Sequence, residues 1–414
     1  MNQAIRTTRD SGIASIGPIP ADWELAAARR FLRLKKHLVG KRSDDFELLS
    51  LTKQGVILRD LTENKGKFPE SFDTYQSVQK GDLVLCLFDI DETPRTVGLS
   101  AFEGMVTGAY SVFHCATEWY RDYLYLLLLH LDDAKGLKPF YSGLRKTIRP
   151  PEFLSIRFPV PSQDEARAIC DHVSAETARI DALIEKKTRF IELLKEKRQA
   201  LITQAVTKGL DPNVPMRDSG VKWIGEVPEG WGTCRVWMKF ALGRGRVISH
   251  EEIHENPGDY PVYSSQTKND GEMGKLGSYD FEGDYLTWTT DGAHAGTVFR
   301  RSGRFNCTNV CGTLKPHGSD VSLGFMRNAI DTATNWFVRH DINPKLMNDV
   351  MASIHIPLPT PEEQAAIDSM ISQQTDRMQV LEQKTMQSIE LLKERRSALI
   401  TAAVTGQIDL RGAA

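Results

Sequence analysis

The sequence predicts an α+β fold in which two globular segments of mixed strands and helices alternate with two long helices that pair as a coiled coil. Three observations carry this reading. Residues 158–211 recur without a gap at 356–409, an offset of 198 positions. Each copy carries an apolar stripe at seven-residue intervals, and the segments ahead of the copies open alike before breaking into short β-like runs. Self-similarity on this scale marks a chain built from two related halves. The expected boundaries are 1–157 (globular), 158–209 (helical), 210–355 (globular) and 356–414 (helical).

Each repeated stretch announces a helix by its own chemistry. Ser162 with Glu165, and Thr360 with Glu363, have the spacing of a capping box. There the hydroxyl accepts from the third helical amide while the Glu reaches back to the cap amide. Pro361 falls where a proline costs no hydrogen bond. Behind the caps, Val173, Ile180, Leu194 and Leu201 form the expected seam of one helix, and Ile371, Met378, Leu392 and Leu399 that of the other. Lys187 and Thr385 interrupt the two stripes, as polar residues that fix register do. A flanking stripe adds Ile169, Leu183, Phe190, Ile367 and Leu381. A helix over 162–207 would be roughly 69 Å long at about 1.5 Å per residue. Such a rod cannot bury its seam alone, and the other copy is the obvious partner.

Composition bounds the function. The chain has 414 residues, 41% hydrophobic and 26% charged, as expected of a soluble protein of several domains. The first six residues lack the apolar core of a secretory signal. The longest apolar run, 123–131, is far short of the roughly 20 residues a membrane helix needs, so no membrane association is expected. Six scattered cysteines (Cys86, Cys115, Cys170, Cys234, Cys307 and Cys311) point to reduced thiols in the cytoplasm. Only Cys307 and Cys311 are close together, and without a second Cys/His pair no metal site is expected.

A net charge of −2 excludes a uniformly basic protein, but the charge is uneven. Residues 1–43 hold nine Lys/Arg against three acids, residues 235–246 hold four with no acid, and Arg300, Arg301 and Arg304 form a third cluster. Local balance of this kind steers an anion.

In chain order, Asp10-Ser11-Gly12, Ile16-Gly17, Pro20 and Trp23 match Asp218-Ser219-Gly220, Ile224-Gly225, Pro228 and Trp231, a pattern of irregular arms each anchored by a buried Trp. Strands are expected at 46–51 and 260–264, each leading into a polar loop. Gly81-Asp82-Leu83-Val84-Leu85 and Gly283-Asp284-Tyr285-Leu286-Thr287 each turn into a further strand. Gly-rich stretches follow; their glycines suit either close approach to a phosphate or base, or turn geometry. Tyr110 and Trp288 beside them read as core aromatics. Apolar helices are expected at 119–131 and 323–330, before proline-containing loops that lead to the long helices.

That order, with the Asp-Ser-Gly…Ile-Gly…Pro…Trp openings and the Leu-Leu-Lys-Glu…Arg…Ala-Leu-Ile-Thr…Ala-Val-Thr tails, resembles the specificity subunit of type I restriction-modification systems over nearly the whole chain. The resemblance implies that 1–157 and 210–355 are target recognition domains. It implies that 158–209 and 356–414 are conserved helical regions pairing as an antiparallel coiled coil with pseudo-two-fold character. It further implies a non-catalytic reader of double-stranded DNA that recruits two methyltransferase (modification) subunits and, through them, endonuclease/translocase (restriction) subunits. S-adenosylmethionine, ATP and Mg would serve those partners, leaving no cofactor on this chain. Two different heads would read two different half-sites, and the rod would set the spacing between them.

Affinity for such a ligand needs cations on phosphates, and specificity needs Arg, Lys, Gln or Asn on base edges. The candidates in the first head are Lys53, Gln54, Arg59, Lys65, Lys67, Arg95, Arg145 and Lys146. In the second they are Arg244, Arg246, Gln266, Lys268, Asn269, His294, Arg300 and Asn309. Basic residues on the polar helix faces, including Arg179, Lys195, Arg198, Arg377, Lys393 and Arg396, would form the methyltransferase dock that the resemblance implies. Two rival functions have less support. A DNA-modifying or DNA-cutting enzyme would need an Asn/Asp-Pro-Pro-Tyr/Phe motif, a cofactor loop or a nuclease carboxylate core, and the sequence shows none of them. A protein-binding coiled-coil adaptor is allowed by two rods and two heads and is not excluded by the rods' periodicity; salt-sensitive binding of duplex DNA separates it from a DNA reader.

Overall fold

The computed structural model describes residues 6–59, 71–141, 146–340 and 343–410. It divides into two compact units, Met1–Lys187 with Gln387–Ala414, and Thr188–Met386. Each unit thus contains one globular segment together with part of both long helices. The elements used below are, in chain order, β1 (Glu24–Ala27), β2 (Leu32–Lys35), β3 (Leu49–Thr52), β4 (Gly55–Leu58), β5 (Leu83–Leu85), β6 (Val97–Leu99), β7 (Ser111–Cys115), α1 (Glu118–Asp133), β8 (Arg157–Val160) and α2 (Gln163–Lys208). They continue with β9 (Gly232–Arg235), β10 (Phe240–Arg244), β11 (Pro257–Tyr263), β12 (Glu272–Leu276), β13 (Tyr285–Thr289), β14 (Val298–Arg301), β15 (Arg304–Cys307), β16 (Cys311–Pro316), α3 (Leu323–Thr334), β17 (His355–Leu358) and α4 (Pro361–Val404).

In the first unit an antiparallel sheet has the strand order β2-β7-β5-β6. The two-residue period of its strands splits it into two apolar faces. Leu83, Leu85 and Phe113 join Tyr120, Tyr123, Leu124 and Leu127 of α1, while Val84 and Val112 join Leu49 and Val56 of the β3-β4 hairpin. β3 begins three residues later than the sequence suggests, because the chain is still turning through the short helix Gly40–Asp45 and Phe46.

The second unit repeats the order as β10-β16-β13-β14, with α3 packed on Leu286, Trp288, Val298 and Leu314. A second sheet sets β11 between β12, antiparallel to it, and β15, parallel to it. In each unit a two-stranded ribbon, β1 with β8 or β9 with β17, runs up to the start of a long helix.

The buried Trp of each arm ties the two long helices together. In the first unit Trp23 Nε1 donates to Glu165 Oε2 at 2.8 Å near the start of α2, and Gly406, past the end of α4, lies against the Trp23 ring. In the second unit the helices exchange roles. Trp231 Nε1 donates to Glu363 Oε1 at 3.1 Å near the start of α4, and Gly209, past the end of α2, lies against the Trp231 ring. Both glycines are left-handed, with φ +72° and +75°, the conformation that ends a helix most cheaply when there is no Cβ. The reciprocal capping box forms at Thr360, where Thr360 N donates to Glu363 Oε2 at 3.0 Å and Glu363 N to Thr360 Oγ1 at 3.3 Å. At Ser162 only the hydroxyl half forms, because Glu165 commits its carboxylate to Trp23 and to Arg6.

In the first unit Ile169 and Val173 share a core with Ile400 and Val404, and Arg396 Nε meets Asp181 Oδ1 at 3.1 Å. In the second, Ile202 and Val206 share one with Ile367 and Ile371, and Lys195 lies 3.5 Å from Glu382. Within each unit the numbering rises along one helix as it falls along the other, so the two run antiparallel. Of the expected seam, Val173, Ile180, Ile371 and Met378 are buried, and Leu194, Leu201, Leu392 and Leu399 are half-buried. In the flanking stripe Leu183, Phe190 and Leu381 are 47%, 42% and 46% exposed. A straight α-helix drifts by about 20° per heptad, so a strict seven-residue stripe rotates out of contact and Ile202, Ile389 and Ile400 are buried instead.

Candidate nucleic-acid interface

In the second unit several strand ends meet around one turn. Arg244, last in β10, stands opposite Gly312 of β16, and Thr289, last in β13, opposite Cys311. Tyr263, last in β11, runs beside Cys307, last in β15. The turn 308–310 between β15 and β16 is bonded to two neighbouring loops, and the residue after it to a third. Thr308 N donates to Tyr263 O at 2.8 Å, Thr290 N to Val310 O at 2.9 Å, and Gly245 N to Cys311 O at 3.0 Å beside it. The register therefore delivers Arg244 and Arg246, then Gln266, Lys268 and Asn269, then His294, and Asn309 itself, to one edge of the unit.

These side chains differ in how free they are. Arg244 Nε donates to Asn309 O at 2.6 Å, leaving the rest of its guanidinium exposed. Arg246 is held by Glu252, with NH2 2.6 Å from Oε1, and by Asp280 at 3.0 Å, so its charge is answered within the fold. Its hydrogen bonds hold the Glu252 carboxyl below the usual range. Gln266 donates its amide to Glu272 O. Lys268, Asn269 and His294 are exposed.

Arg300 does not join this edge. It lies in β14 and, with Arg198 of α2 and Arg327 of α3, lines a cleft of about 770 Å³ that also holds Asp368 and Asp376 of α4. Burial pushes the Asp368 carboxyl up, against the pull of Arg300 and Arg327.

The first unit gathers its candidates less well. Lys53 and Gln54 are exposed at the tip of the β3-β4 hairpin. The Arg59 amide donates to Leu48 O at 2.9 Å. Arg95 faces the carboxylates of Asp132 and Asp133 at 3.6 and 3.7 Å, and Lys146 faces Asp91 and Glu92 at 3.3 and 3.4 Å. Lys65, Lys67 and Arg145 lie outside the described residues. The place that corresponds to Arg244 and Arg246, the loop leaving β2, holds Lys36, His37, Lys41 and Arg42, all exposed or nearly so. None was singled out from the sequence, although the basic excess of residues 1–43 contains three of the four.

Tyr110 is half-buried against Phe88, and Trp288 is fully buried with Nε1 donating to Leu346 O at 3.0 Å. The residue that sequence reasoning passed over is Arg301, counted only as part of a basic cluster. Its side chain is 1% exposed and bonds Asp270.

Residues 228–391 match the family model of the type I restriction modification DNA specificity domain. The chain is also 44% identical over 131 residues to the putative type I specificity subunit S.MpnORF289P N-terminus of Mycoplasma pneumoniae, a match that covers 31% of this chain and 70% of that protein. The chain belongs to the type I restriction-modification specificity subunits.

The type I restriction enzyme MpnII specificity subunit of the same organism is 41% identical over 132 residues, 31% of this chain and 39% of that subunit, so the match spans about two fifths of that relative. Two solved structures share the fold at 12% identity. One is described as the structural basis underlying complex assembly and conformational transition of the type I R-M system, with TM-score 0.69 over 94% of this chain and 99% of that one. The other is the HsdS subunit from Thermoanaerobacter tengcongensis, with TM-score 0.53 over 94% and 98%. The family-model match contains the Trp231–Glu363 pair and the whole loop edge of the second unit. Among the described residues no helix is long and apolar enough to cross a membrane.

Proposed function

We propose that this chain is the non-catalytic, sequence-reading subunit of a type I complex in the cytoplasm, binding an asymmetric, bipartite double-stranded DNA site through its two globular segments. The observation that carries the reading is the doubled unit. The same four-strand order is built twice from one chain of a specificity-subunit family, and in the second unit it collects Arg244, Lys268, Asn269 and Asn309 at one edge. Exposed cations there suit phosphates, and exposed amides suit base edges. The two halves share a scaffold but differ in their loops, a two-residue hairpin tip at Lys53-Gln54 against the longer turn 264–271, so the half-sites differ too.

On this reading the long helices carry the dock for two methyltransferase subunits, which in turn bring the endonuclease/translocase subunits. S-adenosylmethionine, ATP and Mg act on those partners. The test exchanges residues 1–157 for the corresponding segment of another specificity subunit in cells carrying the complete system, and reads the methylated sites by sequencing. One half of the bipartite site is expected to change while the other half and the spacing persist. A change in both halves, or in neither, overturns the proposal.

A further inference from the structure

Resting on the reading above, we infer that Asn269 reads one base pair of the second unit's half-site and that the buried Arg301 positions it. Asn269, Asp270 and Gly271 are three successive residues with positive φ, +49°, +55° and +83°. A side chain with a Cβ is unfavourable in this left-handed region, and Gly would adopt it freely. At the first two positions the chain places Asn and Asp, the residues with a Cβ that enter this region most readily.

The conformation is held from below. The Arg301 guanidinium donates to Asp270 Oδ2 and to Asp270 O, both at 2.6 Å, and to Thr287 Oγ1 at 3.3 Å. Its Cζ also lies over the rings of Tyr263 and Phe299, 3.6 and 4.5 Å from their centroids. Burial pushes the Tyr263 phenol up, against the pull of Arg301. A planar fork makes these bonds and stacks at the same time, which an ammonium cannot do. A charge taken out of water this completely is tolerated only where its bonds are met, and here they are met by the turn and by Thr287. The Ser264 N bond to Gly271 O at 2.9 Å closes the base of the turn.

What the turn presents is the Asn269 side chain. It is exposed and, among the described residues, makes no hydrogen bond of its own, whereas Gln266 nearby gives its amide to Glu272 O. An amide offering one donor and one acceptor on a rigid turn matches the N6 donor and N7 acceptor of adenine in the major groove. The clamp thus fixes the backbone that carries an exposed amide with, among the described residues, no side-chain hydrogen bond of its own.

The test selects preferred sites from randomised duplex DNA with the chain assembled with its modification subunits, comparing the parent with Asn269→Gly, Arg301→Lys and the double variant Arg301→Lys with Asp270→Gly. Asn269→Gly leaves the turn's φ comfortable and removes only the amide. It is expected to lose preference at one adenine–thymine pair of one half-site, on the order of 10-fold to 100-fold. Arg301→Lys is expected to lose preference at that same pair, and Asp270→Gly to restore it by letting the turn form without the clamp. An unchanged site for Asn269→Gly overturns the inference while leaving the proposed function standing, and it decides the matter even where Arg301→Lys fails to fold. Loss at a different pair in Arg301→Lys, or no restoration in the double variant, overturns the positioning role. A parent chain that selects no sequence at all overturns both the inference and the reading beneath it.

Discussion

Glu165 and Glu363 occupy matching places in the repeat, yet removing each should have different consequences. Glu165 is buried, at 4% exposure, and accepts from Trp23 Nε1 at 2.8 Å and from Arg6 NH2 at 3.0 Å. Glu165→Ala leaves an indole N–H unsatisfied in the core, a cost of about 1–3 kcal/mol. It also strips a poorly exposed guanidinium of one partner. Breaking a fully buried pair costs about 3–5 kcal/mol, but Arg6 keeps Asp22 at 2.7 Å, so a total near 3 kcal/mol is expected. Glu363 is exposed and, with Trp231, lines a cleft of about 230 Å³, so water can replace it on the Trp231 N–H and on the Thr360 amide. Glu363→Ala should therefore cost about 1 kcal/mol, the usual worth of a cap. For a unit of this size each kcal/mol moves Tm by roughly 2–4 °C, giving about 6–12 °C for Glu165→Ala and about 2–4 °C for Glu363→Ala. Thermal melts measure the shifts, and hydrogen exchange assigns them, α1 amides reporting the first unit and α3 amides the second. Equal shifts in the two variants would refute the argument that burial and the Arg6 pair set the difference.

Two further outcomes follow from single sites. Gly12 and Gly406 have nearly the same φ, +74° and +72°, but a Cβ at Gly12 meets open space while one at Gly406 would lie 2.4 Å from Pro20 Cγ. Gly12→Ala should cost about 1–2 kcal/mol from backbone strain alone. Gly406→Ala should cost measurably more in the same denaturant titration, with the excess absent if the Trp23 arm does not pack there. Burial raises the Asp331 carboxyl pKa, opposed in part by Arg327, while its Oδ1 accepts from Val298 N at 2.8 Å. A carboxyl whose folded pKa is raised stabilises below its unfolded pKa, and that contribution is lost as pH rises through the folded pKa. Asp331→Asn keeps the acceptor without the charge, so it should raise Tm at neutral pH and lose that advantage in acid. A constant difference across the pH range would contradict the assignment.

Much of the scaffold was legible because it is written in local chemistry. Thr360 with Glu363, Pro361 and the seven-residue stripe specify the start and face of α4 without reference to anything distant, and the duplication carries the same reading to α2. What local pattern cannot state is which distant group answers a charge. Arg95, Lys146 and Arg246 have the composition of a DNA contact, but the fold brings Asp132, Asp91 and Glu252 against them. Arg301 was hidden for the converse reason: β14 shows no inside-outside alternation that would mark it as the buried arginine of the pair 300–301. Trp23 and Glu165 lie 142 residues apart, so the anchor and the cap each could be read while their bond could not. Read once from the structure, the bond falls at the same place in both repeats, as does the strand order. The loops leaving β2 and β10, and those at Lys53-Gln54 and Lys268-Asn269, take equivalent places but differ in sequence. A chain that keeps its clamp and sheet twice while changing its loop edges would, on the proposed reading, separate holding from reading, and that separation is the physical basis for expecting that one recognition segment can be exchanged without disturbing the other.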